Sequence, residues 1–201
     1  MVAFFVVESK CYMGRNYIMR IILASQSPRR KEIMEKLGYS FVVEPAIKDE
    51  IFDMSMDLNQ SIEWVAYQKA KEVQEKFPED CIVAADTVVV YDDEILQKPA
   101  TLEEATDYLV DLSGNEHEVK TGVCILFPHS EITFTETTKV FFRDLEDEEI
   151  LEYVQSGSCM DKAGAYGIQE CDFVEKIEGS YSNVVGLPKG KVDAILKEFL
   201  D

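Results

Sequence analysis

The sequence predicts an α/β fold: a mixed twisted sheet with helices packed on it, in a single domain of two lobes. Three observations lead there. A chain of 201 residues that is 46% hydrophobic and 29% charged can bury one real core and is short for two. Its first half alternates strand-like apolar runs with segments of helical period, the pattern of crossover units. Its second half holds two long strand-like runs across a short turn, which requires an antiparallel hairpin and so a mixed sheet.

The elements follow in order. Residues 1–18 start apolar but lack a basic leader, and Glu8 closes the apolar run early; they read as an extension the fold does not need, not as a signal peptide. The domain is placed at 19–201. Arg20–Ala24 reads as a short buried strand. A helix follows through Leu37, with Ser27 as N-cap, Pro28 in the first position and Gly38 as the stop. A second strand falls at about 39–44, and the acidic stretch 48–58 reads as a loop. Ile62, Ala66, Ala70, Val73 and Phe77 recur at helical spacing, predicting a helix from about Ser61 to Phe77. Cys81–Tyr91 is a strong strand that Asp92-Asp93 turns toward Ile95-Leu96. Thr101 and Glu104 have capping-box spacing and open a helix that Gly114 ends. His117–Phe127 and Thr133–Arg143 form the hairpin around Pro128-His129-Ser130. A helix at about 147–155, a glycine-punctuated loop, a strand near 172–178 and a last helix from Pro188 complete the chain. Trp64 and the phenylalanines read as core.

The charge is 20 basic against 39 acidic side chains, or −19. Such a chain is repelled by nucleic-acid phosphate and by anionic lipid, which argues against a nucleic-acid polymer or a membrane as partner. No run of about 18 apolar residues spans a bilayer. The charge is also uneven: residues 1–31 carry six basic side chains and one acidic, leaving 14 against 38 for the rest. A basic focus on an acidic body suits a small anionic ligand, with a divalent cation to offset surplus carboxylates. Five cysteines without a C-x-x-C pair read as reduced thiols of a cytoplasmic protein. With two histidines far from any cysteine cluster, zinc is excluded as a first choice, and any metal would be a hard, oxygen-bound Mg²⁺ or Mn²⁺.

Four places carry chemistry. Arg29 and Arg30 stand in the first turn of a helix, where the dipole disfavours cations. With the free N–H groups there and the hydroxyls of Ser25 and Ser27, they make a phosphate pocket; the alternative is two arginines in solvent. Asp86 interrupts the apolar run Ile82–Val90, and a carboxylate there needs a partner, a metal or an exposed edge. As a functional group it would hold Mg²⁺ or activate a water. Lys69 lies on the apolar stripe of its helix, and Lys98 follows the hairpin that starts at Asp86; a snorkelling lysine and a plain loop lysine are their bland readings. Asp161–Gln169 sets two glycines beside Tyr166 and Gln169. That is either a tight loop around a core tyrosine or an amide placed to read a base edge.

The runs Leu23–Arg30, Ala85-Asp86-Thr87, Lys98-Pro99, Asp161–Gln169 and Glu178–Pro188, in this order from about Met19 onward, resemble the Maf family of nucleoside triphosphate pyrophosphatases. The resemblance implies a fold of the inosine-triphosphatase type, a cytosolic homodimer, and Mg²⁺- or Mn²⁺-dependent cleavage between the α and β phosphates. A nucleoside triphosphate would yield the monophosphate and pyrophosphate. By the same resemblance Asp86 is the catalytic carboxylate beside the metal, with Asp49 or Glu50 as a candidate second ligand. Ser25, Ser27, Arg29, Arg30, Lys69 and Lys98 hold phosphates. Arg29, Thr87 and Gln169 fit the branch acting on dTTP and UTP, whereas the 7-methyl-GTP branch tends to carry Trp, Gln and Glu there. Alternatives are a pyrophosphatase of 7-methyl-GTP or another non-canonical nucleotide, and a nucleotide-binding regulator of septum formation without turnover.

Overall fold

The computed structural model describes residues 19–48, 52–53 and 55–200. The extension 1–18, and Asp49 and Glu50 with their expected metal role, lie outside the described residues. Strands β1 (Ile21–Leu23) and β2 (Phe41–Val43) are joined by helix α1 (Pro28–Leu37). Ser27 caps α1 by accepting a hydrogen bond from the Arg30 N–H, and Gly38 ends it at φ 82°, a left-handed conformation that costs glycine nothing. Helix α2 (Leu58–Gln74) leads to β3 (Cys81–Tyr91), which turns at Asp92-Asp93 into β4 (Glu94–Leu96). Then come α3 (Leu102–Leu112), β5 (Glu116–Phe127), β6 (Ser130–Phe142), α4 (Asp147–Gln155), two 3₁₀ turns within 158–165, β7 (Val174–Glu178), α5 (Tyr181–Val185) and α6 (Lys189–Leu200).

Among the described residues these strands make one seven-stranded mixed sheet in the order β2-β1-β3-β5-β6-β7, with β4 on the free edge of β3. The pairs β2·β1 and β1·β3 are parallel and the others antiparallel, as the mixed pattern required. Alternation along β3 sorts the core. Cys81, Val83 and Ala85 face a cluster with Ile33 and Met34 of α1 and Leu196 of α6. Ile82 and Ala84 face the other way, against Ala66, Ala70 and Val73 of α2. A third cluster lies toward the far end of β3, where Val89 meets Leu109 of α3, Ile150 of α4 and Tyr166.

Four expectations need correction. Helix α2 starts three residues before Ser61, because Asp57 caps it by accepting from the Gln60 N–H; its first turn is mostly polar, so the apolar stripe gave no sign of it. The hairpin turn is tighter than expected, with Phe127 paired to Ser130. Helix α5 lies where only a motif had been read, capped by Ser180. Trp64 is not core: it is 39% exposed and stacks on Tyr67 at 5.4 Å; Phe199 is exposed too and stacks on Phe127, whereas Phe127, Phe142 and Phe173 are buried as expected.

Candidate functional site

Strand β1 pairs with β3 only as far as Leu23↔Val83, and β4 pairs only from Val89 onward. Between them no described strand covers the edge of β3, and a cleft of about 440 Å³ opens there. The nine described candidates (Ser25, Ser27, Arg29, Arg30, Lys69, Asp86, Thr87, Lys98 and Gln169) all line it. Segments more than 140 residues apart in sequence thus meet around five residues of one strand edge.

Consecutive side chains of β3 point to opposite faces, and the site uses both. Asp86 continues the phase of Ile82 and Ala84 toward α2, where its Oδ1 accepts from Lys69 Nζ at 2.7 Å; the two side chains are 11% and 14% exposed. This answers both sequence puzzles at once, since each buried charge is the other's partner. α2 comes close enough because Gly122 stands opposite Asp86 on β5. A Cβ on Gly122 would fall 2.7 Å from the backbone of Ile62, two helical turns before Lys69.

Thr87 points the other way and meets Arg30. The Arg30 guanidinium donates to Thr87 Oγ1 at 3.0 Å, to the Gly186 carbonyl at 2.8 Å and to Ser25 Oγ at 3.4 Å. It therefore joins α1, β3 and the turn after α5. Behind it Thr87 Oγ1 lies 3.0 Å from Thr121 Oγ1, which donates to the Asn183 carbonyl at 3.3 Å. Asn183 Nδ2 in turn donates to the Val119 carbonyl and to Thr138 Oγ1. Thr121, Thr138 and Asn183 are fully buried, so a buried polar string, in which Asn183 Oδ1 alone finds no partner among the described residues, backs Arg30 from the core outward.

Arg29, its neighbour, diverges from it. Its Nη1 donates to Asp161 Oδ2 at 2.8 Å and its Nη2 to the Asp161 carbonyl at 3.2 Å, which carries it to the wall formed by the 158–169 loop. Asp161 Oδ1 accepts from Lys162 Nζ at 2.8 Å, and Lys162 also pairs with Glu170 at 3.0 Å. Burial alone would raise the Asp161 carboxyl, but hydrogen bonds from Lys162 and Arg29 outweigh it and hold the pKa below the usual value. The sequence reading assigned no role to Asp161 or Lys162. The signal lay in Lys162, a lysine inside an otherwise small and apolar motif.

The helix terminus offers fewer donors than expected. Pro28 has no N–H, the Arg30 N–H goes to Ser27 Oγ at 3.4 Å, and the Lys31 N–H goes to the Ser27 carbonyl at 3.2 Å. Ser27 is thus a cap first, and most of the donors this terminus offers to the cleft are on side chains. Lys98 is exposed on the rim beside the loop, and the Gly164 N–H donates to the neighbouring Gln97 carbonyl at 3.2 Å. Gly164, at φ 66°, packs against Val89 so closely that a Cβ would fall 2.8 Å from its side chain.

Tyr166 is the core tyrosine of a tight loop, as one reading of that motif had it. It is buried at 5% exposure and also lines the cleft. His117 Nε2 lies 2.8 Å from its hydroxyl, while His117 Nδ1 is buried without a hydrogen-bond partner. Burial pushes the His117 pKa down to about 4. Between pH 6.5 and 4 the unfolded chain binds a proton there that the folded chain refuses, so stability falls as pH drops through that window, by about 3 kcal/mol in all. Urea midpoints across this range should slope accordingly, and His117→Phe should flatten the slope whatever it does to the baseline.

The four described cysteines are free, and burial is the first cause raising each thiol's pKa. No helix among the described residues is long and apolar enough to cross a membrane.

A carboxylate–lysine pair in the cleft, an anchored arginine beside it and further cations around it form a site whose chemistry is that of a phosphate-recognising protein. The chain belongs to the Maf family: the sequence model described as Maf-like protein matches residues 20–199. The dTTP/UTP pyrophosphatase of Geobacillus sp. (strain WCH70) is 51% identical over 171 residues, covering 84% of this chain and 92% of that protein. Proteins of the same name from Koribacter versatilis (strain Ellin345) and Ruminiclostridium cellulolyticum are 46% and 43% identical, each covering about nine-tenths of this chain and 95% of their own length. A solved nucleoside-triphosphatase / dITP/XTP pyrophosphatase from Mycobacterium abscessus matches at a TM-score of 0.40 and 16% identity, over 63% of this chain and 76% of that one, a likeness too slight to argue from.

Proposed function

We propose that the cleft binds dTTP or UTP and hydrolyses it between the α and β phosphates, releasing the nucleoside monophosphate and pyrophosphate. The observation that carries this reading is the Asp86–Lys69 pair on the floor of the cleft, with the Arg30 fork and Lys98 on the same cavity wall and rim. The names of the relatives supply the nucleotide.

Asp86 has one oxygen on Lys69 and no second hydrogen bond among the described residues. Its other oxygen is left to take a proton from a water aimed at the α-phosphorus. Arg30, held by three protein acceptors, is already aligned for the β- and γ-phosphate oxygens, so little reorganisation is needed as charge builds on the leaving pyrophosphate. Lys98 and Lys69 add positive charge around it. Ser25 Oγ accepts from the Ser27 N–H and from Arg30, which leaves its proton for a phosphate oxygen.

The donor set also fits a hard divalent cation. No group of three or more His, Cys, Asp or Glu side chains is gathered among the described residues. A Mg²⁺ or Mn²⁺ held by one carboxylate, Asp86, together with substrate phosphates needs no such cage. When bound it would lower the pKa of water and offset phosphate charge. A cytoplasmic homodimer belongs to the same reading, supported by the family resemblance and the free thiols.

The test is pyrophosphate release from dTTP, UTP, CTP, 7-methyl-GTP and ITP, with Mg²⁺ or Mn²⁺ and with chelator. Metal-dependent release from dTTP and UTP is expected. Binding without release from any of them would replace the enzyme by a nucleotide-binding regulator, and release from 7-methyl-GTP alone would move the chain to the other branch.

A further inference from the structure

Arg30 belongs to a closed ring of hydrogen bonds. Its Nη2 donates to Thr87 Oγ1 at 3.0 Å, which lies 3.0 Å from Thr121 Oγ1. Thr121 Oγ1 donates to the Asn183 carbonyl at 3.3 Å, and that carbonyl also takes the Gly186 N–H at 2.9 Å. The ring closes where the Gly186 carbonyl accepts from Arg30 Nε at 2.8 Å. Strand register brings the two hydroxyls together, because Thr87 of β3 stands opposite Thr121 of β5 and their side chains share a face.

The two ends of this path fix the hydrogens between them. A guanidinium only donates and a carbonyl only accepts. Thr121, which is completely buried, has a single hydrogen, and it goes to the Asn183 carbonyl. Thr121 therefore meets Thr87 with a lone pair, and the bond between the hydroxyls runs from Thr87 to Thr121. Thr87 has then spent its hydrogen inward and shows Arg30 lone pairs alone. Every hydrogen points the same way, from the cation toward the carbonyl, an arrangement in which each bond strengthens the next. Were Thr121 Oγ1 removed, the Thr87 hydrogen would lose its acceptor in the core and the Asn183 carbonyl one of its donors. The hydroxyl would swing toward the cleft, and the guanidinium would lose one of the three acceptors that hold it.

We propose that Thr121 is a positioning residue for the phosphate end of the cleft: its buried hydroxyl keeps the Thr87 hydrogen in the core, so that Thr87 anchors Arg30 and the fork meets the ligand in one fixed pose. The role is blind to the base, since the ring includes no residue of the 158–169 loop. The proposal rests on the reading of Arg30 as a phosphate-binding group.

The test compares the wild-type chain with Thr121→Val, Thr121→Cys, Thr121→Ser, Thr87→Val and the Thr121→Val/Thr87→Val double variant. Three readings are taken: kcat and KM for UTP, dTTP and CTP, the inhibition constant of inorganic pyrophosphate, and solvent exchange of the Arg30 Nε–H by NMR. The last signal is assigned by its loss in Arg30→Lys and needs no turnover. Valine keeps the shape of threonine without the hydroxyl. It should raise KM for all three nucleotides and the pyrophosphate constant by one common factor of about fivefold. It should leave kcat within about twofold and speed exchange at Arg30. Cysteine, of similar size but a weak hydrogen-bonding partner, should shift all three readings in the same direction, and carries the test should the valine variant not fold. Serine restores the hydroxyl but lacks a buried methyl, so it should melt below the wild type while KM and the pyrophosphate constant stay within about twofold. A merely structural role would instead make binding follow melting temperature. The double variant should bind no worse than Thr87→Val alone, because both changes cut one path.

Wild-type pyrophosphate affinity and Arg30 exchange in folded Thr121→Val, or in Thr121→Cys in its place, overturn the proposal. Tighter pyrophosphate binding also does so, for then the released Thr87 hydrogen serves the phosphate itself. Equal losses with serine and valine, or additive losses in the double variant, overturn it too. A wild-type chain that neither turns over a nucleotide nor binds pyrophosphate removes the parent reading and this inference together. A wild-type chain that is active and inhibited by pyrophosphate, with Thr121→Val unchanged, removes this inference only.

Discussion

Asp86→Asn is expected to leave a folded protein whose kcat for dTTP and UTP has fallen about 10²–10⁴-fold, the range for removing a positioned general base. An amide keeps the shape of the side chain and an oxygen for Lys69 to donate to, but it has no basicity with which to take a proton from water. Breaking a fully buried ion pair can cost about 3–5 kcal/mol. This pair opens onto a solvent-filled cleft, with both side chains slightly exposed, and Lys69 retains a hydrogen-bond acceptor, so the loss of stability should be nearer 1 kcal/mol. KM should rise less than kcat falls, because Asp86 would reach the nucleotide's phosphates only through a shared cation while the arginine and lysine contacts remain. The decisive comparison is single-turnover pyrophosphate release against circular dichroism and melting temperature on one preparation. Turnover retained in a folded Asp86→Asn protein would remove Asp86 from the chemistry.

Arg30→Ala should act on binding and on structure together. The wild-type guanidinium serves the Gly186 carbonyl, Thr87 Oγ1 and Ser25 Oγ, so truncation leaves a backbone carbonyl without its partner and frees α1 from the turn before α6. A charge-assisted phosphate contact of about 3 kcal/mol corresponds to roughly a hundredfold loss in kcat/KM. Inhibition by added pyrophosphate should weaken by a similar factor, since the product uses the same fork. Arg30→Lys returns the charge as a point and not as a planar fork; it should recover less than a tenth of the lost activity and little of the melting temperature. Full recovery with lysine would mean that charge alone matters and that the three-way anchor is incidental.

Much of this site was legible because its residues break local rules. Asp86 in an apolar strand, Lys69 on an apolar stripe and two arginines at a helix start each cost free energy unless something compensates; in the structure Asp86 and Lys69 compensate each other, Asp161 meets Arg29, and Gly186, Thr87 and Ser25 take Arg30. The order of motifs along the chain then supplied the family, and the cap of α1 and the Thr101 cap of α3 could be read directly, although Glu104 takes the Ala100 N–H and so does not close the expected capping box. What stayed hidden was direction. Adjacent arginines look equivalent in sequence, but about 100° of helical rotation sends Arg29 to the loop and Arg30 to the sheet. Asp161 was hidden for a related reason: its partner lies 132 residues away, and no local pattern distinguishes a loop carboxylate that is paired from one that is merely solvated. The five-residue α5 is too short for any period to show, and its stability comes from the Ser180 cap and the buried Asn183 contacts.

The length of β1 has a consequence of its own. Three residues of strand leave the β3 edge uncovered between Val83 and Val89, and a bare edge of Val- and Ala-rich strand is elsewhere an invitation for another chain to add itself and start an aggregate. Here the bare stretch is recessed behind α1 on one side and the 158–169 loop on the other, and the Arg29–Asp161 pair bridges the two walls. A peptide backbone would have to displace that bridge and set its own amides among fixed cations; a nucleotide brings the opposite charge and need only slide in. On the proposed function the interruption in the sheet is open to small anions and shut to strands, a binding cleft without the stickiness that an unpaired edge carries.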